Sequence, residues 1–511
     1  MSDNVSNNKR IAKNTFALYL RMFFVMAVGL YTSRVVLKTL GIDDYGIYNV
    51  VGGFVAMLAY LNKVFVDATQ RFLSFTLGEN NHKKLKSVFS TSITVHLIIS
   101  LVILLVGETF GLWFVNEKLV IAPERMYAAN WVYQCSLMSL IATVLSIPYK
   151  ASIVSHEKMQ IYAYFGIVEA ILKLAIVYLL LVSDYDKLIV YAILHLIISL
   201  IIPIWNVFYC KKHFEECVFH LRIDIPLFKE MISFSVWTLV GSLGFSFKDQ
   251  LSNIIMNLFL GTTINAARGV ATQVNGIVMS FAENFTTALS PQITKQYAAG
   301  DIQRCQKLVS VGSRFSFYLM SLIIIPLIMN IDYILQLWLD QVPEYTNVFI
   351  IITLIAAAYY SASKTLTVAL MATGDIKMFQ VGVTVIMLLE LPIAYVFLKL
   401  NYPPYYALLP AIATNIMGIF YRLFIIKRQM PTFNIRRYIY DVFFKCTALM
   451  LIAYLCSSFI NSYFDTTFLS FVISSIISVF VIIVLIYTLG ISKNERISVN
   501  SHIKEYILKR Q

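Results

Sequence analysis

The chain has 511 residues, of which 59% are hydrophobic and only 14% are charged. Soluble domains carry about 25% charged residues, so this composition excludes an ordinary soluble protein and predicts a surface that faces lipid. The formal net charge of +13 would suggest a nucleic-acid partner for a soluble protein. Here the positions of the charges indicate membrane topology instead, and no nucleic-acid partner is expected.

Apolar stretches long enough to cross a hydrocarbon core of about 30 Å recur along the whole sequence. They predict an all-α integral membrane protein with about fourteen transmembrane helices and short connectors. The predicted spans lie near residues 14–38, 44–70, 87–112, 126–149, 160–183, 187–210, 230–258, 263–290, 308–331, 346–373, 378–398, 404–426, 438–461 and 466–490.

The distribution of Lys and Arg supports this count. Of the 41 basic residues, 25 lie in segments that should face one side of the membrane, five face the other side and 11 lie within spans. One missed span would invert the bias in everything that follows it. The positive-inside rule therefore predicts that both termini are cytoplasmic.

Part of the sequence is repeated. Leu40-Gly41 in "TLGIDDYGIYNVV" aligns with Leu260-Gly261 in "FLGTTINAARGVA" at an offset of 220 residues. Six spans separate the copies, so they share one orientation, which predicts a parallel repeat of two six-helix lobes. Chance similarity between apolar helices is the alternative. The predicted divisions are an N-terminal lobe at 1–212, a C-terminal lobe at 213–430, two added spans at 431–490 and a cytoplasmic tail at 491–511.

Several basic residues lie within the spans, where an uncompensated cation costs about 2.5–3.5 kcal/mol on insertion scales. Those near span ends can extend to the interface, and no function is assigned to them: Arg34, Arg314, Arg422 and Lys445. Five lie deeper and are the candidate substrate-binding residues: Arg21, Lys63, Lys248, Arg268 and Lys364. They could form a cationic track for an anionic substrate such as a diphosphate, or internal ion pairs that lock helices together.

Polar residues in spans 7 and 8 follow single faces of their helices. At about 100° per residue, Thr272 and Asn275 share a face with Arg268 in span 8, and Asn253 shares a face with Asp249 in span 7. Stripes that are polar over the full height of a helix favour a water-filled cavity. Lys248 lies about 100° away from the stripe of its helix.

Acidic residues also lie in the spans. Asp67, Asp249 and Glu283 are the candidates for binding a coupling ion, either Na⁺ or H⁺. The alternative for Asp67 is a pair within one helix, because Lys63 and Arg71 lie four residues to either side of it.

Sequence motifs for enzymatic chemistry are absent. The sequence contains no GxxxxGK[ST], GxSxG, HExxH or Rossmann fingerprint, and its six cysteines form no CxxC pair. No resident cofactor and no metal site are therefore expected. The outer loops are short, which weakens the interpretation as a membrane enzyme. Segments 211–229 and 495–510 are interpreted as amphipathic anchors at the membrane surface.

The segment "RVVLKTLGIDDYGIYNVVGGF" contains a Leu-Gly-x-x-x-Tyr-Gly-x-Tyr pattern from Leu40 to Tyr48, and "IPYKASIVSHEKM" begins at Ile147. With these segments, fourteen spans and a 6+6 repeat, the chain resembles the polysaccharide-biosynthesis flippases of the MATE/MOP superfamily. These include the Wzx-type O-antigen and capsule translocases.

The resemblance implies a V-shaped, alternating-access transporter in the bacterial inner membrane. Its substrate would be an undecaprenyl-diphosphate-linked oligosaccharide, moved from the cytoplasmic to the periplasmic leaflet for surface polysaccharide assembly. Members of this family carry basic residues in spans 1, 2 and 8, and Arg21, Lys63 and Arg268 occupy the corresponding helices. Coupling to an ion gradient is expected by analogy.

The resemblance also bears on partners. A monomer is expected, in contact with membrane lipids and with the glycosyltransferases and polymerase of the same pathway. Two other functions stay open. The first is a MATE-type antiporter for cationic drugs or metabolites, and the second is a membrane polysaccharide polymerase or ligase.

Overall fold

The structure is a computed structural model, and it describes residues 2–119, 121–218, 224–339, 342–464, 467–493 and 495–497. All regular secondary structure in these ranges is helical. The α-helices are α1 (Ser2–Gly78), α2 (His82–Val106), α3 (Leu112–Glu117), α4 (Met126–Ser155), α5 (Met159–Val182), α6 (Lys187–His213), α7 (Ile225–Ala298), α8 (Ile302–Met329), α9 (Ile331–Trp338), α10 (Thr346–Thr373), α11 (Lys377–Leu388), α12 (Glu390–Lys399), α13 (Leu409–Gln429), α14 (Ile435–Tyr438), α15 (Lys445–Asn461) and α16 (Phe468–Leu485). Short π-helical segments follow α2, α14 and α16.

Several helices begin at polar residues that cap them. The side chains of Asn81, Asp186, Asp224 and Asp301 accept hydrogen bonds from amides in the first turns of α2, α6, α7 and α8. Such caps satisfy amides that have no partner within the helix. The short polar connectors therefore fix where these long apolar helices start.

Eleven helical segments in the described part of the chain are long and apolar enough to cross a membrane. They coincide with predicted spans 3 to 7 and 9 to 14. The predicted class, an all-α integral membrane protein, is confirmed. Predicted spans 1, 2 and 8 are helical as well and lie in α1 and in the second half of α7.

Helix α1 contains two of the predicted spans. Its single non-helical residue is Gly41, with φ 82° and ψ 171°. Asn14 and Ser74 both contact the turn after α4: Asn14 Nδ2 donates to the Glu157 carbonyl over 3.1 Å, and Ser74 Oγ donates to Ser155 Oγ over 2.9 Å. Sixty residues of straight helix would separate them by about 90 Å, so α1 doubles back.

Helix α7 doubles back in the same way. Arg268 Nη2 lies 3.2 Å from Asp249 Oδ1, although 19 residues separate them. Along one straight helix that separation would be about 28 Å. The two halves of α7 are therefore the separate spans 7 and 8 that the sequence predicts.

The chain divides into two compact units. The first comprises residues 11–239 and 294–300, and the second comprises residues up to 10, 240–293 and those from 301 onward. The core of the first unit is built around α4, with Val132, Tyr133 and Leu137 fully buried. In the second unit, α15 and α16 pack against α8 around Ile325, Ala453 and Ile482. The predicted lobe boundaries stay predictions.

The Leu40–Tyr48 segment has a structural role in the first unit. Arg125 donates from Nε to Asp44 Oδ1 over 2.8 Å and from Nη1 to Asp186 Oδ2 over 2.5 Å. It thereby ties α1 to the starts of α4 and α6. The Tyr48 ring meets Tyr191 of α6 edge-on, with 4.8 Å between ring centroids. The hydrogen bonds from Arg125 lower the pKa of Asp186 against the opposing effect of burial.

Replacing Gly41 tests the turn in α1. Its backbone conformation is essentially restricted to glycine, so Gly41→Val should destabilise the protein by about 1–3 kcal/mol. Gly46→Ala is the matched control, because Gly46 is helical with open space around its Cα. That change should leave stability unchanged or raise it by about 0.5–1 kcal/mol. Thermal unfolding in detergent measures both, and equal effects would contradict the assignment.

The Arg125–Asp186 contact predicts a pH dependence. Because the folded pKa of Asp186 is lowered, its carboxylate stabilises the fold above its unfolded pKa of about 3.9 and loses this effect as the pH falls through the folded value. Asp186→Asn should therefore lower the melting temperature at pH 7, and the difference from wild type should shrink below about pH 4. Asp184→Asn, in the same exposed loop, is the control. A difference that persists unchanged at low pH would contradict the mechanism.

Candidate functional site

Four charged residues come together within the first unit. Lys173 Nζ lies 2.7 Å from Glu169 Oε1, one turn apart on α5. Lys150 of α4 and Arg21 of α1 both interact electrostatically with this pair. The group therefore contains three cations and one carboxylate, a formal excess of two positive charges among membrane-spanning helices. We call these four residues the basic cluster.

Arg21 is held by packing in this cluster. Its guanidinium lies over the Tyr162 ring, 4.7 Å from the centroid, which is a favourable cation–π contact. A Cβ at residue 166 would lie 2.1 Å from Arg21 Nε, so only glycine at this position admits the side chain. Arg21 Nε is buried without a hydrogen-bond partner, and among the described residues no carboxylate lies within ion-pair distance of this arginine. The Nε–H group of Arg21 is thus held in place by packing and makes no hydrogen bond within the protein.

Three members of the cluster, Glu169, Lys150 and Lys173, were not among the predicted site residues. Lys150 follows the predicted end of span 4 at residue 149, but α4 continues to Ser155 and carries Lys150 inside the helix. Lys173 lies within predicted span 5 and is not among the predicted site residues. The four-residue spacing from Glu169 to Lys173 was the signal that could have identified it.

The three cations predicted for the second unit are all paired with carboxylates. Arg268 is only 5% exposed; its Nη1 donates to Ser252 Oγ over 2.7 Å and its Nη2 to Asp249 Oδ1 over 3.2 Å. Lys248 Nζ lies 3.2 Å from the buried Glu390 of α12. These contacts match the internal ion pairs that are the alternative to a cationic track.

Lys364 pairs differently. Its Nζ lies 2.9 Å from Glu283 Oε1, and the Glu283 side chain is 52% exposed. Two of the three carboxylates that bind these cations, Asp249 and Glu283, are among the residues predicted to bind a coupling ion. The structure therefore joins the predicted cations and carboxylates in pairs, and the roles assigned to them stay predictions.

The remaining predicted residues are placed individually. Asn275 has a buried Oδ1 without a hydrogen-bond partner, Thr272 is exposed and Asn253 is half-buried. Asp67 is half-buried in α1, and Lys63 lies outside the side chains that the structure describes. An unpartnered amide oxygen beside an exposed threonine is consistent with a polar helix face that meets water or a ligand.

Comparisons with known proteins identify the fold. A family model described as MatE matches residues 238–396. No curated protein sequence matches the chain. The structure is similar to that of a MATE transporter in the straight conformation, with 12% identity, a TM-score of 0.70 and coverage of 83% of this chain and 97% of the other. It is also similar to a variant of the Vibrio cholerae MATE transporter VcmN, with 15% identity, a TM-score of 0.69 and coverage of 84% and 99%.

A third similar structure is a MOP superfamily transporter from Pyrococcus furiosus, with 12% identity, a TM-score of 0.67 and coverage of 82% and 96%. At these identities the matches show a shared fold. The chain has the fold of the MATE transporters. Together with the family model, this supports the MATE/MOP superfamily and a multi-pass membrane transporter in preference to an enzyme.

The Lys248–Glu390 pair allows the structural and binding roles to be separated. Breaking a buried pair by removing one partner costs about 3–5 kcal/mol, whereas replacing both partners is often neutral. We expect Lys248→Met to lower the melting temperature strongly and Lys248→Met with Glu390→Leu to recover most of the loss. The control is Lys399→Met, at the exposed end of α12. A double variant that is stable but loses transport would assign Lys248 to substrate binding.

Proposed function

We propose that the chain is a flippase for undecaprenyl-diphosphate-linked oligosaccharides in the bacterial inner membrane, with both termini in the cytoplasm. In this proposal the lipid-linked unit moves from the cytoplasmic to the periplasmic leaflet and enters the assembly of a surface polysaccharide. Glycosyltransferases and a polymerase of the same pathway would be its partners. Alternating access driven by Na⁺ or H⁺ belongs to the same proposal.

The basic cluster is the observation that carries the proposal. A diphosphate diester has two ionised groups, and the cluster has an excess of two positive charges. Arginine suits such a group because its planar guanidinium can bind two phosphate oxygens at once, and lysine adds a compact charge. Cations within spans are expensive, which makes a surplus of them a sign of function.

The sign of the charge separates this proposal from the second candidate, an antiporter for cationic drugs or metabolites. That candidate is favoured by Asp249 and Glu283, two carboxylates in the stretch that the MatE model matches. Both are already engaged by cations, however. The Pyrococcus furiosus transporter is a precedent for a difference in polarity within this fold, because the reverse polarity of its binding pocket suggests a different function.

Removing single charges from the basic cluster tests the proposal. A hydrogen bond to a charged group contributes about 1.5–3 kcal/mol, so Arg21→Gln or Lys173→Gln should reduce glycan export at least about tenfold. Lys173→Arg should retain export because it keeps the charge. Surface glycan and the amount of lipid-linked unit left on the cytoplasmic leaflet are measured in cells that depend on this chain, with the membrane level of each variant determined in parallel.

The control variant is Lys187→Gln, which removes an exposed charge at the start of α6. It should export like wild type. Normal export by well-expressed Arg21→Gln and Lys173→Gln variants would refute the proposal. Expulsion of a cationic dye that depends on Asp249 and Glu283 would favour the antiporter instead.

A further inference from the structure

A cavity of about 510 Å³ lies within the second unit, and none of the residues of the basic cluster lines it. It is lined by one face each of two helical segments and by the start of the tail. From α8 come residues spaced three and four apart, which share a helix face: Gln303, Gln306, Lys307, Ser310 and Arg314. The segment around α14 contributes Asn434, Arg437, Tyr438 and Asp441 with the same spacing, and the tail contributes Ser492 and Glu495.

Arg314 lies at the inner wall of this cavity. The residue is only 7% exposed, yet its Nε has no hydrogen-bond partner. From its position near the end of its span, Arg314 is predicted to extend to the interface, with no function assigned. In the structure it is buried instead, because α14 and the tail cover it, and it carries a donor that the protein leaves unused.

The cavity is basic and partly occupied by a carboxylate. Lys307, Arg314 and Arg437 oppose Asp441 and Glu495, and Asp441 is 3.5 Å from Arg437 Nε. Glu495 Oε1 accepts a hydrogen bond from Arg314 Nη2. If Glu495 withdrew, three cations would face one carboxylate.

Glu495 is held in place by the tail itself. Its Oε2 accepts hydrogen bonds from the Ser492 amide over 2.7 Å and from Ser492 Oγ over 2.8 Å. This is the reciprocal arrangement of a capping box, in which serine and glutamate three residues apart start a helix. The tail thus holds Glu495 Oε1 at the position beside Arg314 Nη2 that a phosphate oxygen could occupy.

We propose that this cavity binds a phosphate group through Arg314, Lys307 and Arg437, and that Glu495 takes its place when the site is empty of ligand. The volume falls in the range of about 300–1,000 Å³ typical of small-molecule sites. The distribution of Lys and Arg predicts that this end of the helices faces the cytoplasm. Basic pockets between spanning helices on that side bind anionic lipid headgroups, and a soluble phosphate shares the same chemistry.

Lipid titration of the purified full-length protein in neutral detergent tests the proposal. The probes are phosphatidylglycerol, phosphatidylcholine and inorganic phosphate, and the readouts are the melting temperature and bound lipid by native mass spectrometry. We expect saturable stabilisation by phosphatidylglycerol that exceeds that by phosphatidylcholine. An equal saturable effect of inorganic phosphate would support the same site with a soluble ligand as its source.

Variants distinguish this site from general lipid contact. Lys307→Gln and Arg437→Gln change exposed side chains, so folding should survive, and each should weaken the anionic ligand about tenfold. Arg428→Gln removes an exposed arginine at the same end of the second unit, outside the cavity lining, and should have no such effect.

Glu495→Gln separates competition from a structural ion pair. It should tighten binding of the anionic ligand several-fold because it removes the resident carboxylate. Weaker binding in this variant, equal effects of Arg428→Gln and Arg437→Gln, or no saturable effect of phosphatidylglycerol or inorganic phosphate beyond that of phosphatidylcholine would each overturn the proposal. The outcome is independent of glycan export, so the failure of one proposal leaves the other unaffected.

Discussion

A cation held among apolar helices must be compensated, and this constraint determines the arrangement of charge throughout the described bundle. In the second unit Arg268, Lys248 and Lys364 meet the constraint by pairing, since each lies 2.9–3.2 Å from a carboxylate. The buried Arg422 instead donates to Thr367 Oγ1 over 3.1 Å. The basic cluster of the first unit meets the constraint in another way. There Arg21 rests on an aromatic ring, and a single carboxylate is shared among three cations. Pairing leaves little net charge to attract a ligand, whereas the shared arrangement leaves a surplus.

That difference bears on how a flippase could release what it binds. A site for transport must attract its ligand and still let it go, so maximal affinity would be a disadvantage. Glu169 moderates the cluster, because its bond to Lys173 competes with any phosphate for that ammonium group. Arg21 has no such competitor among the described residues and would contribute the more directional contact. Lys173 is already partly engaged by Glu169, and Arg21 Nε has no hydrogen-bond partner. This combination suits reversible binding of a diphosphate.

The fold could be predicted from the sequence because its signals are local. Apolar length located the spans, and the asymmetry of Lys and Arg fixed their number, so the helices that the structure describes fall where the sequence predicts them. Gly41 marks the turn within α1 through a backbone conformation that other residues rarely adopt. The lobe boundaries stay predictions, because they depend on packing between helices that are distant in sequence.

The site was predicted less completely, for a physical reason. Helical angles show which residues share a face, but not which helix that face meets. The doubt about Lys248 arose from its angle, and its actual partner, Glu390, is 142 residues away in sequence. No local pattern could reveal that pair. Glu169 and Lys173 were readable from their spacing, but Lys150 was not, because the end of α4 lies beyond the predicted end of its span.

The cavity beside Arg314 shows how the same chemistry can serve a second purpose. Arg314 lies two helical turns from Lys307 on one face of α8, about 10 Å along the axis. Because Lys307 is exposed and Arg314 is buried, that face runs from the surface into the protein. A lipid phosphate resides at the surface of a bilayer, so it could reach Lys307 first and Arg314 after Glu495 has moved. A carboxylate fixed within the core would block such a site permanently. On a tail, by contrast, occupancy by Glu495 can be conditional, because withdrawing it disturbs one capping box and leaves α8 and α14 intact.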